Sequence, residues 1–320
     1  MSGSLQQPVL IYDRIDQNRR NTFLLFIAFT VLIGGLFAAV GAALGSYAEL
    51  DMAEVSRLTW VFGVLGVLLA LGVSAFAYYS SSSVVLGISE AQAVTKEQAP
   101  ELYRTVENLC IGAGLPLPRI CVIEDSAPNA FATGRDPQHA AVAVTRGLLD
   151  KLDRRELEGV IAHELSHIGN YDIRVMTMVV MLAGLAALVS DFMLRWTWYG
   201  TGGRSRYRSK GNGGAGAIVL VLAVLVIVLA PLAALLLRMA VSRQREYLAD
   251  ASGALLCRNP DALADALAKI AQDKEPLEVA NKATAHLYIA NPLNEHKSSL
   301  NNLFDTHPPI QRRIELLRAM

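Results

Sequence analysis

The segment His163-Glu164-Leu165-Ser166-His167 has the clearest chemical potential in the chain. On a helix, residues four apart share a face about 5–6 Å apart, so both histidines can bind one metal ion. Glu164 then reaches a water on that ion, and zinc with a nearby carboxylate is a hydrolytic pair. The alternative is a helix with two hydrogen-bonded core histidines and a solvated glutamate. Chance coincidence is small because the chain has only six histidines.

A third ligand has to come from elsewhere, because a catalytic zinc needs three protein ligands and an open fourth position. The segment "REYLAD" offers Glu246 as that ligand. Asp250, one turn later, can accept the second ring N–H of a ligating histidine. The alternative is an exposed acidic face paired with Arg243 and Arg245. Spacing alone does not separate the two.

The surrounding sequence predicts the elements that position these residues. Asp153 and Glu156 form a capping-box pattern, which places both histidines inside a helix. Residues 97–114 predict a helix that ends on glycine, and "NPDALADALAKIAQ" begins with an Asn cap followed by proline. Short alternating or β-rich runs predict a small antiparallel sheet; they cover residues 119–125, 129–135 and 140–146.

Long apolar runs predict an integral membrane protein. Only 18% of the residues are charged, against about 25% in a typical soluble protein. Crossing a bilayer takes about 20 apolar residues, and four runs are long enough: 22–45, 58–79, 175–194 and 215–237. Four fully buried helices of a soluble protein would be hard to cover with the remaining polar chain. The first run lacks a cleavage site, which indicates an uncleaved anchor.

Charge and cysteine content exclude other classes. The net charge is zero and no basic stripe carries interleaved aromatic residues, which argues against nucleic-acid binding. Cys110, Cys121 and Cys257 are odd in number and fit no zinc spacing. They are expected to be buried free thiols in a reducing compartment.

Four motifs closely resemble the HtpX-type membrane zinc peptidases, which are relatives of the CAAX prenyl endopeptidases. The motifs are "NAFATG", "HELSH", "SRQREYLADASGA" and "THPPIQRRI", in that order, and the resemblance covers residues 22–320. It implies a gluzincin-like α+β peptidase domain with one zinc ion. His163, His167 and Glu246 would be its ligands and Glu164 the general base.

The resemblance also implies roles for residues outside the ligand helices. Asn129 and Ala130 match the edge strand that pairs with the substrate backbone, although they also suit an ordinary strand start after a Pro-Asn turn. His307 matches an oxyanion-stabilising position, typically worth about 3 kcal/mol, and Arg313 matches a substrate or oxyanion contact. A histidine before Pro-Pro can equally be a rigid-turn residue.

The predicted fold is a mainly α membrane protein with a small β-sheet, in which a peptidase domain is fused to four hydrophobic helices in two hairpins. No role is assigned to the N-terminal segment or to the basic, glycine-rich loop 195–215. The predicted divisions are a polar N-terminal segment (1–21), a first hairpin (22–87), a first peptidase part (88–174), a second hairpin (175–237) and a second peptidase part (238–320).

The metal site constrains the topology. His167 precedes the second hairpin and Glu246 follows it, so that hairpin must return to the same side. The loop between the first two spans holds only Arg57 against three acidic residues, whereas positive residues collect near the spans on the catalytic side. Because positively charged residues favour the cytoplasmic side, this predicts an active site at the cytoplasmic face of the cell membrane. The basic loop 195–215 disagrees with this orientation, because it would lie outside the cell. Either the first hairpin determines the orientation, or the second hairpin does not fully cross the bilayer. Positive residues near the spans on the catalytic side are Arg14, Arg19, Arg20, Arg174, Arg238, Arg243 and Arg245.

The predicted function is a zinc metalloendopeptidase that cleaves unfolded or damaged membrane proteins at the cytoplasmic face, a quality-control and stress role that the resemblance implies. One alternative is a prenyl-protein endopeptidase, although those relatives have more spans. Another is a non-catalytic membrane scaffold with a vestigial zinc site. The retained base and ligands argue against a scaffold.

Overall fold

The computed structural model describes residues 11–184, 243–273, 275–278, 284–290 and 308–320. His307, the loop 195–215, the predicted span 215–237 and residues 185–194 of the third span lie outside the described residues. The chain divides into two compact units: Met1–Thr22, Tyr79–Met178 and Arg238–Met320 form one, and Phe23–Tyr78 and Val179–Leu237 form the other. The predicted domain boundaries stay predictions.

The second unit contains most of a helical hairpin, whose two ends lie in the first unit. Helices α1 (Ile11–Tyr47) and α2 (Met52–Ile88) are joined by a four-residue turn. Asp51 Oδ1 accepts a hydrogen bond of 2.8 Å from the Glu54 amide, which caps the start of α2. Glycine permits close helix contact: a Cβ at Gly41 would lie 2.6 Å from the Leu58 carbonyl oxygen.

Both hairpin helices are long and apolar enough to cross a membrane, over Asp16–Ser46 and Met52–Ile88. They contain the first two predicted spans. Large apolar side chains are exposed along them, among them Val31, Trp60 and Phe76. Such a continuous apolar surface suits lipid rather than water. Of the third predicted span, residues 175–184 are described and are helical.

The first unit contains a four-stranded mixed sheet. Its strands are β1 (Gln92–Ala93), β2 (Arg119–Ile123), β3 (Ala130–Gly134) and β4 (Ala140–Thr145), in the spatial order β1-β2-β4-β3. The prediction of a purely antiparallel sheet was wrong, because β2 and β4 run parallel. After β2 the chain forms β3 at the edge of the sheet and then returns as β4, which lies between β2 and β3. The short β1 was not predicted.

Helices surround this sheet and supply the site. They are α3 (Pro100–Ala113), α4 (Arg146–Lys151), α5 (Arg154–Gly169), α6 (172–184), α7 (Arg243–Cys257), α8 (Pro260–Gln272) and α9 (Ile310–Arg318). The predicted capping box of α5 is confirmed, because Asp153 accepts from the Glu156 amide and Glu156 accepts from the Asp153 amide. The Asn259 cap of α8 and the glycine end of α3 are confirmed as well.

Glycine lets the two site-bearing helices, α5 and α7, approach closely. A Cβ at Gly253 on α7 would lie 2.9 Å from the backbone nitrogen of His163 and 3.0 Å from its Cα. On the other side of α5, a Cβ at Gly159 would lie 2.8 Å from the Leu263 amide nitrogen on α8. Helix α5 is thus held between two neighbours with no room for added atoms.

Gly253→Ala is therefore expected to destabilise the protein by about 1–3 kcal/mol, since the backbone of α5 must shift to admit the methyl group. Gly112→Ala is the matched control, because its Cβ would meet only the end of Leu256, at 3.7 Å. Thermal unfolding in detergent measures both variants. Equal stability of the two would contradict the close α5–α7 contact.

Candidate active site

Three potential metal-binding side chains converge between α5 and α7. His163 Nε2 lies 3.9 Å from Glu246 Oε2, and His167 Nε2 lies 3.7 Å from Glu246 Oε1. The ligand atoms of the three residues all lie within 4.8 Å of one another. The two imidazole rings are nearly perpendicular, at 89°, with centroids 4.8 Å apart. All three side chains are buried.

This donor set fits a divalent cation. Atoms that bind zinc tetrahedrally at about 2.0–2.1 Å lie about 3.3 Å from one another. The two histidine–glutamate separations, 3.9 and 3.7 Å, exceed that spacing by about 0.4–0.6 Å, and all three ligand atoms lie within 4.8 Å of one another. Charge balance points the same way, because four buried carboxylates face only two buried guanidinium groups, and a divalent cation offsets the excess. These groups are Glu164, Asp172, Glu246, Asp250, Arg245 and Arg313.

An aspartate orients each histidine. His163 Nδ1 lies 3.0 Å from Asp250 Oδ1, and His167 Nδ1 lies 3.0 Å from Asp172 Oδ2. Each Nε2 is thereby left to face Glu246. Such outer carboxylates fix the tautomer of a ligating histidine and raise its basicity.

Sequence reasoning anticipated Asp250 and missed Asp172. Asp172 follows the end of α5, where Asn170 and Tyr171 turn the chain back toward His167. The available signal was an acidic residue a little more than one turn beyond the second histidine. That spacing predicts a contact between His167 and Asp172 only if helix α5 ends between these two residues.

Arg313 binds the Asp250 carboxylate with two hydrogen bonds. Its Nε donates to Asp250 Oδ2 at 2.8 Å and its Nη2 to Oδ1 at 2.7 Å. Nη1 donates to the Ile289 carbonyl at 2.8 Å and lies 3.7 Å from Glu246 Oε2. Nη2 also lies 3.5 Å from His163 Nε2. These contacts favour a supporting position, and the substrate role of Arg313 stays a prediction.

The charged surroundings affect the two histidines in opposite ways. Burial lowers the pKa of His163 below its ordinary value, despite the opposing effect of Asp250. Burial would lower the pKa of His167 too, but the hydrogen bond with Asp172 and the Glu246 carboxylate outweigh it and raise the pKa to about 9. Burial would raise the pKa of Asp250, yet Arg313 holds it at about 2.

Glu164 is a buried carboxyl beside the three converging side chains. Burial, together with the negative charge of Glu246, raises its pKa to about 7. The backbone of Ala132, on β3, lies close to this carboxyl and opposes part of the rise in its pKa. Its Oε2 has no hydrogen-bond partner among the residues that the structure describes. A general base is most effective when its pKa is near the working pH, and one of its oxygens is free to take a proton.

The strand predicted to bind substrate, β3, lies at the edge of the sheet. The Asn129 amide donates to Thr145 Oγ1 at 2.8 Å, and Asn129 Nδ2 donates to the Ala290 carbonyl at 3.1 Å. The Ala130 carbonyl accepts a 2.9 Å hydrogen bond from the Ile289 amide. The beginning of the edge is therefore already in contact with residues 284–290. The substrate roles of Asn129 and Ala130 stay predictions.

With this geometry in hand, the comparison with known proteins is decisive. Residues 96–320 match Peptidase family M48. The chain belongs to peptidase family M48. The match covers α3, strands β2 to β4, both ligand-bearing helices and α9, and therefore the whole converging site.

Curated relatives in this family are similar over nearly the full length. A "Protease HtpX homolog" from Dictyoglomus turgidum is 43% identical over 315 residues, which are 98% of this chain and 96% of the relative. Homologs from Ligilactobacillus salivarius and Listeria monocytogenes are 44% and 45% identical, each over 97% of this chain and 100% of the relative. The crystal structure of S. mikatae Ste24p is 19% identical, with a TM-score of 0.45 over 94% of this chain and 66% of that one.

Membership of family M48 and the similarity to the HtpX homologs make this protein a metalloprotease. A metal ion and polypeptide substrates follow from that class. The two long apolar helices make it a membrane protein.

Asp172→Asn is expected to weaken metal binding by about 10–100-fold, because the amide orients His167 without adding the basicity that a carboxylate supplies. Metal content after dialysis against graded chelator concentrations measures the change. Asp150→Asn, at an exposed position in the same unit, is the control. Equal metal retention in the two variants would show that Asp172 does not support a ligand.

Proposed function

We propose that this M48 peptidase is a zinc-dependent membrane endopeptidase in which His163, His167 and Glu246 bind one zinc ion. The observation that carries the proposal is the convergence of these buried side chains. Two come from one helix, and the third arrives about eighty residues later from another. Two imidazoles, one carboxylate and an excess of negative charge are the features of a catalytic zinc site with one position left for water.

Each protein group then has a distinct task. When bound, zinc acts as a Lewis acid that lowers the pKa of its water to about 7. Glu164 accepts the proton of that water at Oε2 and returns it to the leaving amine. Asp172 and Asp250 hold the two histidine rings in the ligating tautomer. His307, which lies outside the described residues, is assigned to the oxyanion on the strength of the family resemblance.

Substrate recognition is proposed to occur through the backbone, at the edge of β3. An extended peptide added at a sheet edge gains main-chain hydrogen bonds that do not depend on its side chains. Asn129 and Ala130 stand at the start of this edge, and the backbone of Ala132, two residues further, lies close to Glu164. A peptide on this strand is therefore close to the base. Such a site suits unfolded or damaged membrane proteins.

The active site is proposed to face the cytoplasm of the cell membrane. The support is the positive residues on the catalytic side and the predominantly acidic loop of the first hairpin. The domain divisions drawn from the sequence, with a second hairpin over residues 175–237 and a gluzincin-like peptidase part, belong to the same proposal.

Glu164→Gln is expected to retain zinc and to lower the cleavage rate of a disordered test protein by at least about 100-fold, because the amide cannot accept the proton. Zinc content and turnover are measured on the same purified sample. Glu158→Gln, on the same helix, is the matched control and should cleave like the unaltered protein. Turnover close to normal in Glu164→Gln would refute its role as general base.

The same variant separates the rival functions. Comparison of membrane-protein fragments in cells that express normal or Glu164→Gln protein identifies the substrates, and an uncleaved substrate trapped on the variant identifies its class. Trapping of prenylated C-terminal peptides alone would favour the prenyl-protein endopeptidase. If the normal protein cleaves no substrate, with or without a chelator, the non-catalytic scaffold is favoured.

Topology is tested with single cysteines at exposed positions, after all three native cysteines are changed to alanine. Glu54→Cys lies between the first two spans, and Glu97→Cys lies in the peptidase unit. In intact cells, a membrane-impermeant maleimide is expected to label residue 54 and not residue 97 until the cells are lysed. The opposite pattern would place the active site outside.

A further inference from the structure

The turn after α5 has a conformation that needs support. Helix α5 ends at Gly169, Asn170 is its C-cap, and Tyr171 has a φ of 60°. This left-handed region is rarely occupied by residues other than glycine, asparagine and aspartate. The turn is what brings Asp172 back toward His167. Whatever stabilises the turn therefore also determines where Asp172 lies.

The support comes from the first turns of α1. Asn18 Nδ2 donates to the Asn170 carbonyl at 2.9 Å and to Asp172 Oδ1 at 2.8 Å. Both N–H groups of this amide are thereby used, and its side chain is buried. The Arg19 guanidinium lies over the Tyr171 ring, 4.8 Å from its centroid. Two consecutive residues of α1 thus bind three consecutive residues of the turn.

The Asp172 carboxylate divides its oxygens between two tasks. Oδ1 accepts from Asn18 and Oδ2 faces His167 Nδ1. Arg245 Nε lies 3.9 Å from Oδ1 and is a competing partner. With the Asn18 amide in place, Asp172 is anchored with Oδ2 toward the histidine. Without it, the carboxylate can move to pair with Arg245, at the expense of His167.

We propose that Asn18 is a positioning residue for the metal site, with Asp172 as the intermediary and Arg19 as support through Tyr171. The proposal rests on the proposed role of His167 as a zinc ligand. It gives a function to the N-terminal segment, whose sequence suggested none. Helix α1, which contains the first candidate span, therefore also binds Asp172, the residue beside the proposed ligand His167.

The test is zinc affinity of the full-length holoprotein in detergent, measured by competition with a chelating dye. Asn18→Ala is expected to weaken binding about 3–30-fold, less than a direct ligand partner would, since it acts one step further out. Asn18→Asp has the same shape but cannot donate and repels Asp172, so it is expected to weaken binding more than alanine does. A packing role alone would give the reverse order, because aspartate fills the site better.

Two further measurements separate positioning from general stability. The cobalt-substituted protein reports ligand geometry in its visible spectrum, which Asn18→Ala should change while KM for a disordered substrate stays constant and kcat falls. The thermal midpoint of the metal-free protein is recorded for each variant. Lower stability with unchanged zinc affinity and spectrum would overturn the proposal.

A second pair of variants keeps the test decisive if Asn18→Ala does not fold. Arg19→Gln changes an exposed residue that contacts Tyr171, and Arg20→Gln changes its exposed neighbour. Arg19→Gln is expected to weaken zinc binding about 2–5-fold relative to Arg20→Gln. Equal affinities would overturn the supporting role of Arg19, because Arg174 also lies over the Tyr171 ring, 5.0 Å from its centroid. His167→Ala identifies the other failure: if it binds zinc normally, the proposed function itself is wrong.

Discussion

The structure depends on gathering buried charge in one place. Four carboxylates and two guanidinium groups lie around the converging site with almost no solvent contact, and unpaired buried charges are strongly unfavourable. Arg313 and Arg245 offset part of the negative charge, and a bound divalent cation would offset the rest. A metal held here would therefore contribute to the charge balance of the core as well as to the chemistry.

Distant parts of the chain reach the site through two parallel series of polar contacts. Arg313 on the last helix holds Asp250, which faces His163, and Asn18 on the first helix holds Asp172, which faces His167. Each imidazole ring therefore has a carboxylate at its Nδ1 side. One carboxylate is bound by a residue of the first helix and the other by a residue of the last helix. The geometry can form only when the N-terminal helix, α5, α7 and the C-terminal helix are assembled together.

The sequence was informative where the signals are local. The α5 capping box, the Asn259 cap and the glycine end of α3 depend on neighbouring residues and were predicted correctly. The parallel β2–β4 pairing was missed because strand order is decided by long-range packing. Asp172 was missed because its approach to His167 requires Tyr171 in a left-handed conformation, which no sequence rule assigns to tyrosine. The contact of Ala130 with Ile289 could not be predicted either, because the two residues are far apart in the sequence.

The edge of β3 limits how a substrate can bind. The Ala130 carbonyl already accepts from the Ile289 amide, and Tyr288 packs edge-on against Phe131, with ring centroids 5.0 Å apart. An added peptide must therefore begin beyond Ala130 or replace Ile289 there. The backbone of Ala132, next along the edge, lies near Glu164. If the proposed pairing occurs on this short edge, few main-chain bonds would hold the peptide, and an extended, unfolded chain would fit there better than a folded one.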